Sequence, residues 1–421
     1  MSTNRISLNP PRGMRDFYPA DMVLRERIFG AWREAARAFG FAPYDACVVE
    51  SLELLKRKAG EEIVGQIYAF RDKSGRELAL RPEMTPTLAR MVASRRGSLS
   101  VPLKWHTIAQ CFRYERMTRG RKREHYQWNL DIIGEDSVGA EVEILGAAVH
   151  ALSLLGLNAG DVKIHYSSRA LLGELLVRLG IPREHHQATF LALDKRGKED
   201  DEAISKLLSG EGLNAKTVGL VFELLAIDSL KDAVDRLEGA SPAGARIMDF
   251  VQAAAPAGLA DILVFDISVI RGLAYYTGIV FEAFDVDRGF RAIFGGGRYD
   301  NLLEEIGGAS MTGVGLGFGD VVIGEILAAR ESADMLPAPF DTAVSFMEEA
   351  QRPVAAALAA RFRSGGASVD LSLRPEKARA FFSRAGGGLY REAVYIGPDD
   401  VERGMVRIKN LSTRDERELT L

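Results

Sequence analysis

Between residues 20 and 40, Met22, Leu24, Ile28, Trp32 and Ala35 recur with helical spacing, after Pro19 and ahead of a stop at Gly40. The apolar period then shortens towards two. IYAFRD and ELALRP flank Lys73-Ser74-Gly75, which predicts an antiparallel hairpin. PEMTPTLARMVASRRG predicts a helix opened by Pro82 and closed by Gly97. Strands are expected in LKWHTIAQCFRYER and HYQWNLDIIG, with polar MTRGRKRE between them. An amphipathic helix over roughly 138–156 follows and ends before Gly156.

From about 169 to 258 the strand signal disappears. LLGELLVRLG, DEAISKLLSG, VGLVFELLAI and AGARIMDFVQAAA are successive short helical segments. Strand character returns at ILVFDISVI and continues through YYTGIVFEAF, RAIFGGG and GVGLGFGD, so the simplest organisation is one sheet interrupted by a helical insertion. Residues 331–339, within ESADMLPAPF, are expected to form a linker. Beyond it, 340–421 alternate strand, helix, strand, helix, strand, strand, which predicts a separate small α/β domain with a mainly parallel sheet.

Composition narrows the class. At 421 residues the chain exceeds one compact core, and 27% charged with 47% hydrophobic residues is ordinary for a soluble enzyme. A net charge of −4 gives no global nucleic-acid signal, so any such contact must use local basic patches. Cys47 and Cys111 form no CxxC pair, and the six histidines are scattered, so neither a disulfide framework nor a thiolate zinc site is expected. No signal-peptide core and no run of 18 apolar residues is present, which leads us to expect a soluble cytoplasmic protein without a membrane role.

Five segments carry candidate chemistry. RGLAYYTGIVFEAF (271–284) sets a cation and two phenols, Tyr275 and Tyr276, ahead of an apolar strand. CFRYERMTRGRKREHYQWNLDIIG (111–134) holds six basic and two acidic side chains between residues 113 and 124. If Arg113 and Glu115 continue the strand, alternation puts both on one face, and a strand-anchored arginine is a bidentate donor for phosphate. A solvated hairpin tip would have the same composition. Glu83 and Thr85 in LRPEMTPTLARM suit a helix start as well as a ligand site. Gln127 and Asp131 lie four apart on one strand, hence on one face. The glycines of FGGGRYD let a backbone approach a ligand, or make a tight turn.

Together these segments resemble the histidyl-tRNA synthetases, a class II aminoacyl-tRNA synthetase family, in a sub-branch with a variant motif 3. The likeness runs from PPRGMRDFYP to the terminal strands. It implies an α+β fold: a catalytic domain over 1–330 built on an antiparallel sheet with a helical insertion, and an anticodon-binding α/β domain over 340–421. It implies activation of histidine with ATP, with Mg²⁺ bridging β and γ oxygens, then transfer to the 3′ end of histidine tRNA, in a homodimer. Glu83 and Thr85 would position the histidine ammonium together with Gln127 and Asp131, and Tyr275 and Tyr276 would line the imidazole pocket. Arg113 would grip the α-phosphate and carboxylate, Glu115 the adenine surroundings, and Arg121 the β- and γ-phosphates. Arg271 would act as the catalytic cation at the α-phosphate.

Three positions depart from the pattern. Ala274 stands where an acid is usual, and Cys47 where a proline commonly lies at the dimer interface. Asp320 sits near the place of the motif 3 arginine that clamps the γ-phosphate. The alternative reading is a catalytically silent paralogue, the histidine-sensing regulatory subunit of ATP phosphoribosyltransferase.

Overall fold

The computed structural model describes residues 6–58, 64–193, 195, 199–270, 275–330, 338 and 340–421. They divide into two compact units, one within 1–16 and 27–326, the other within 17–26 and 327–421.

The strands of the first unit are β1 (Ala42–Pro43), β2 (Val49–Ser51), β3 (Ala69–Arg71), β4 (Glu77–Leu80), β5 (Leu103–Phe112), β6 (Glu124–Ile133), β7 (Val162–Ser168), β8 (Leu263–Phe265), β9 (Ile279–Asp285), β10 (Phe294–Arg298) and β11 (Gly313–Gly319). Among the described residues, eight form one sheet in the order β1-β5-β6-β11-β10-β9-β7-β8. Its interior pairings are antiparallel, and only the outermost strands, β1 on β5 and β8 on β7, run parallel. A small sheet, β2-β4-β3, contains the predicted hairpin, whose turn closes through Gly75 at φ +82°.

One face of the large sheet is the core. Trp128, Leu130 and Ile132 of β6 alternate inward with Val314, Leu316 and Phe318 of β11, and all six are buried. Helix α1 (Pro19–Ala38) lays Ile28, Phe29, Trp32 and Ala35 against this face, with the Trp32 and Trp128 rings 6.0 Å apart and Trp32 5.3 Å from Phe318. Each such ring pair adds about 0.5–1.5 kcal/mol beyond area burial. The opposite face is kept open.

Between β7 and β8 the described segments are helical: Arg169–Arg178, His186–Leu193, Asp201–Gly210, Ala215–Leu225, Leu230–Asp235 and Pro242–Ala254. Ser168, Asp200, Asn214, Ser229 and Ser241 start five of them, each accepting a backbone N–H three residues on. These caps give the helices their sharply defined starts.

Two boundaries differ from expectation. The helix expected from Pro82 begins at Thr85, as α2 (Thr85–Arg95) with Pro86 in its first turn. Residues 80 and 81 are still held in the small sheet, Leu80 N–H by Tyr68 O and Arg81 N–H by Val48 O, so Glu83 lies on the approach to the helix. Strand β5 stops at Phe112, so Arg113 and Glu115 do not alternate along it. Arg113 N–H still reaches Arg123 O, but Tyr114 N–H bonds Gln66 O and Glu115 N–H turns back to Arg113 O, which ends the ladder.

In the second unit, β12 (Phe340–Phe346), β13 (Val369–Leu371), β14 (Tyr390–Ile396), β15 (Met405–Asn410) and β16 (Glu416–Thr420) form a sheet in the order β13-β12-β14-β15-β16. The first three strands are parallel, joined by helices Arg352–Ser364 and Ala378–Ala385; β15 and β16 are antiparallel additions. The expectation of a mainly parallel sheet covers half the pairings. The β15–β16 turn, held by Asn410 Oδ1 accepting from Ser412 and Thr413 N–H, is too short for a parallel crossover.

Candidate active site

The open face of the large sheet is paved with glycine. Register sets Gly313, Gly315, Gly317 and Gly319 of β11 opposite Ile133, Asp131, Asn129 and Gln127 of β6, so the polar side chains project beside bare backbone. A Cβ on Gly315 would lie 2.3 Å from Asp131 Oδ1, and one on Gly317 2.6 Å from Gln127 Nε2. On β10, Gly295 and Gly297 extend the same floor towards β9.

Two adjoining cavities open on this floor. The smaller, about 100 Å³, is walled by Glu83, Thr85, Tyr275, Tyr276 and Tyr299 over Gly315 and Gly317. The larger, about 530 Å³, carries Arg113, Arg121, Lys122, Arg288 and Arg291 with the carboxylates of Glu115, Asp266 and Glu282. Arg113, Gln127, Gly295 and Gly317 line both, so these residues mark the junction. Arg113 is aimed there because its Nε donates to Pro82 O at 2.9 Å.

In the small cavity Tyr275 OH donates to Glu83 Oε2 at 3.0 Å, and both groups are buried. Burial first, and then the Glu83 carboxylate, push the Tyr275 phenol well above its ordinary pKa, so it remains a neutral donor. Gln127 is fixed by its own strand, its amide donating to Asn129 Oδ1 at 3.1 Å while Oε1 meets His125 Nε2 at 3.3 Å. Burial, then the nearby Arg113 charge, hold His125 down at about 3, so its ring is neutral.

Asp131 is 2% exposed and stands behind the small cavity. Tyr299 OH donates to its Oδ1 at 2.6 Å, while Oδ2 has no hydrogen-bond partner among the described residues. Burial raises Asp131 to about 7; Tyr299 works against that rise, and Glu83 adds to it. In the large cavity, Arg121 and Glu115 pair with each other at 2.7 Å. Arg271, with Gly272, Leu273 and Ala274, lies outside the described residues.

Glu83, Thr85, Arg113, Gln127, Tyr275 and Tyr276 are therefore gathered around one small cavity, and Arg113, Glu115 and Arg121 around the larger. Tyr299, Asn129, His125 and Arg291 were missed by sequence reasoning. The alternation of glycine through 313–319 is the signal that could have found Asn129, since it predicts a cleared face opposite 127, 129 and 131.

A glycine floor with a small phenol-walled chamber beside a cationic one is the arrangement expected for joining a small polar molecule to a polyphosphate. The family model of the histidyl-tRNA synthetases matches residues 13–319. The chain belongs to the histidyl-tRNA synthetase family. It is 42% identical over 99% of its length to the chloroplastic/mitochondrial histidine–tRNA ligase of Arabidopsis thaliana, covering 86% of that protein. It is 38% identical to the histidine–tRNA ligase of Opitutus terrae, over 97% of this chain and 94% of that one. In fold it superposes on the crystal structure of histidyl-tRNA synthetase from Nostoc with a TM-score of 0.84, at 22% identity, covering 99% and 97% of the two chains.

Within the histidyl-tRNA synthetase pattern two charged residues have structural work. Arg298, after the three glycines, points away from the cavities and forms a doubly bonded pair with buried Glu141 at 2.7 Å. Asp320, at the motif 3 junction, accepts from Tyr126 N–H at 2.9 Å and pairs with Arg15 at 3.0 Å. Among the described residues, no helix is long and apolar enough to cross a membrane.

Proposed function

We propose that this site activates histidine with ATP and transfers it to the 3′ end of histidine tRNA. The observation that carries the reading is the shared wall: Arg113 and Gln127 border both cavities, so an amino acid in the small one presents its carboxylate to a nucleotide in the large one. Glu83, Gln127 and Thr85 hold the ammonium, with Tyr275 keeping the Glu83 carboxylate oriented. Tyr276 and Tyr299 face the imidazole, and Asp131 sets the direction of the Tyr299 hydroxyl: with its proton engaged by the carboxylate, the oxygen is left to accept an imidazole N–H.

The carboxylate attacks the α-phosphorus in line and pyrophosphate leaves. The Nη groups of Arg113, together with Arg271, stabilise the charge on the non-bridging oxygens; fixed cations are worth most where charge develops. Mg²⁺ would be carried chiefly by the phosphates of the nucleotide, and the Glu282 carboxylate on the wall would offer the hard oxygen donor such an ion prefers. The tRNA ribose hydroxyl then displaces AMP from the adenylate, with no protein nucleophile required.

The second unit is assigned the anticodon. Its Leu373 is 86% exposed, beside Arg374, Lys377 and Arg379. Val48, Val49 and Phe70, exposed on and beside the small sheet, provide apolar surface for a homodimer. The protein would work in a soluble compartment such as the cytoplasm.

A histidine-sensing regulator has no use for a chamber walled by five basic side chains. Histidine-dependent ATP–pyrophosphate exchange by the intact protein separates the readings. Robust exchange is expected; histidine binding without exchange would refute the ligase.

A further inference from the structure

In the family pattern an arginine at the motif 3 junction clamps the γ-phosphate; here Asp320 occupies that junction and is 5% exposed. It is committed to Tyr126 N–H and Arg15, and it does not line the large cavity. The positive charge for the far phosphates must come from elsewhere on the wall.

Four of the five basic side chains there can be sorted by their partners. Arg113 is anchored to Pro82 O at the junction with the small cavity. Arg121 is paired with Glu115 at 2.7 Å. Arg288 lies over the Phe284 ring at 4.2 Å, bonds His165 at 3.0 Å and is 3.7 Å from Asp266. Arg291 forms no ion pair among the described residues, although it stands in a crowded cationic corner. Its stem packs on the basic loop, where a Cβ on Gly120 would lie 3.5 Å from Arg291 Cδ. Burial, then repulsion from Arg121, lower its guanidinium below the ordinary value, with Glu115 opposing. Glu115 is paired with Arg121, so the Arg291 guanidinium on the same wall is positive charge without an ion-pair partner among the described residues.

The loop that delivers Arg291 is itself held. Arg119 stacks over Phe290 at 4.4 Å, and Glu325 accepts from Gly120 N–H at 3.1 Å. The β9–β10 turn and the basic loop therefore form one wall. Among the described residues Lys122 also forms no ion pair, but its ammonium is a point charge where a guanidinium can bind two phosphate oxygens.

We propose that Arg291, beside Arg121, binds the β- and γ-phosphates of ATP and the departing pyrophosphate, in the role of the missing motif 3 arginine. The assignment rests on the ATP-activating reading above. It is tested on the intact protein by exchange kinetics and by the affinity of a histidyl-sulfamoyl adenosine, which mimics the adenylate and has no β or γ phosphate. Arg291→Ala should lower kcat/KM for ATP and for pyrophosphate by about 10–100-fold, the loss of one bidentate charge-assisted contact. The analogue's affinity and the KM for histidine should stay within about twofold, and Arg291→Lys should recover part of the loss. Equal weakening of ATP and analogue would make Arg291 merely structural. Unchanged ATP kinetics, or a loss seen in Lys122→Ala instead, would overturn the proposal. A wild-type protein without exchange would overturn the ATP reading itself, and is distinguishable from each of these.

Discussion

Asp131→Asn tests the polar heart of the site most directly. Asp131 is 2% exposed, it accepts a hydrogen bond from Tyr299 OH at 2.6 Å, and burial raises it from 3.8 to about 7. Because the folded protein holds this proton more tightly than the unfolded chain, the group's full contribution to stability is present below pH 3.8. That contribution falls as pH rises, and is spent once pH passes about 7. At 1.36 kcal/mol per pKa unit the difference is about 4 kcal/mol, reduced to about 2–4 kcal/mol by relaxation and water entry. The isosteric amide cannot ionise and should lack this loss.

The three tryptophans, Trp32, Trp105 and Trp128, all belong to the first unit, so their fluorescence during urea unfolding reports on it alone. Between pH 5 and pH 8, the upper part of that window, the wild type should lose about 1–3 kcal/mol relative to Asp131→Asn, while the variant's KM for histidine rises at least about tenfold. Parallel stability profiles across that range would refute the raised carboxyl. An unchanged histidine KM would refute its role behind Tyr299.

Two other perturbations follow from the geometry. Gly315→Ala sets a methyl 2.3 Å from Asp131 Oδ1 and 2.9 Å from Tyr299 Cε1, and overpacking of this kind costs about 1–3 kcal/mol. Histidine kcat/KM should fall about 10–100-fold with the KM for ATP nearly unchanged, and a proportional loss for ATP would contradict two separate chambers. Deleting residues 331–421 should spare exchange but sharply reduce charging of tRNA; normal charging by the truncated protein would remove the anticodon role from the second unit.

Much of the fold was legible because the long interior strands of the large sheet carry their own period; β1, two residues long, and β7 went unread. The back face alternates Trp128, Leu130 and Ile132, and the glycine series through 313–319 alternates with the apolar partners of that face. Strand β16 was not legible: ERELT is charged and largely exposed, with no apolar side to reveal a period. Helix starts were misplaced where a hydrogen bond outside the segment decided them, as at Arg81, whose N–H is held by Val48 O.

The sequence by itself determined the family, six of the eight strands of the large sheet and part of the lining of the two cavities, because short-range pattern and motif spacing are local properties. Tertiary structure decided what those residues do to one another. Tyr299 and Asp131 are 168 positions apart in the chain, and only the tertiary fold brings that phenol to a carboxylate which burial raises towards neutrality. Asp320 reads in sequence as a lost cation, yet the fold turns it to Arg15 and Tyr126 and brings Arg291 to the phosphate wall from another strand pair. Charge compensation of that kind depends on distance through space, which no spacing along the chain encodes.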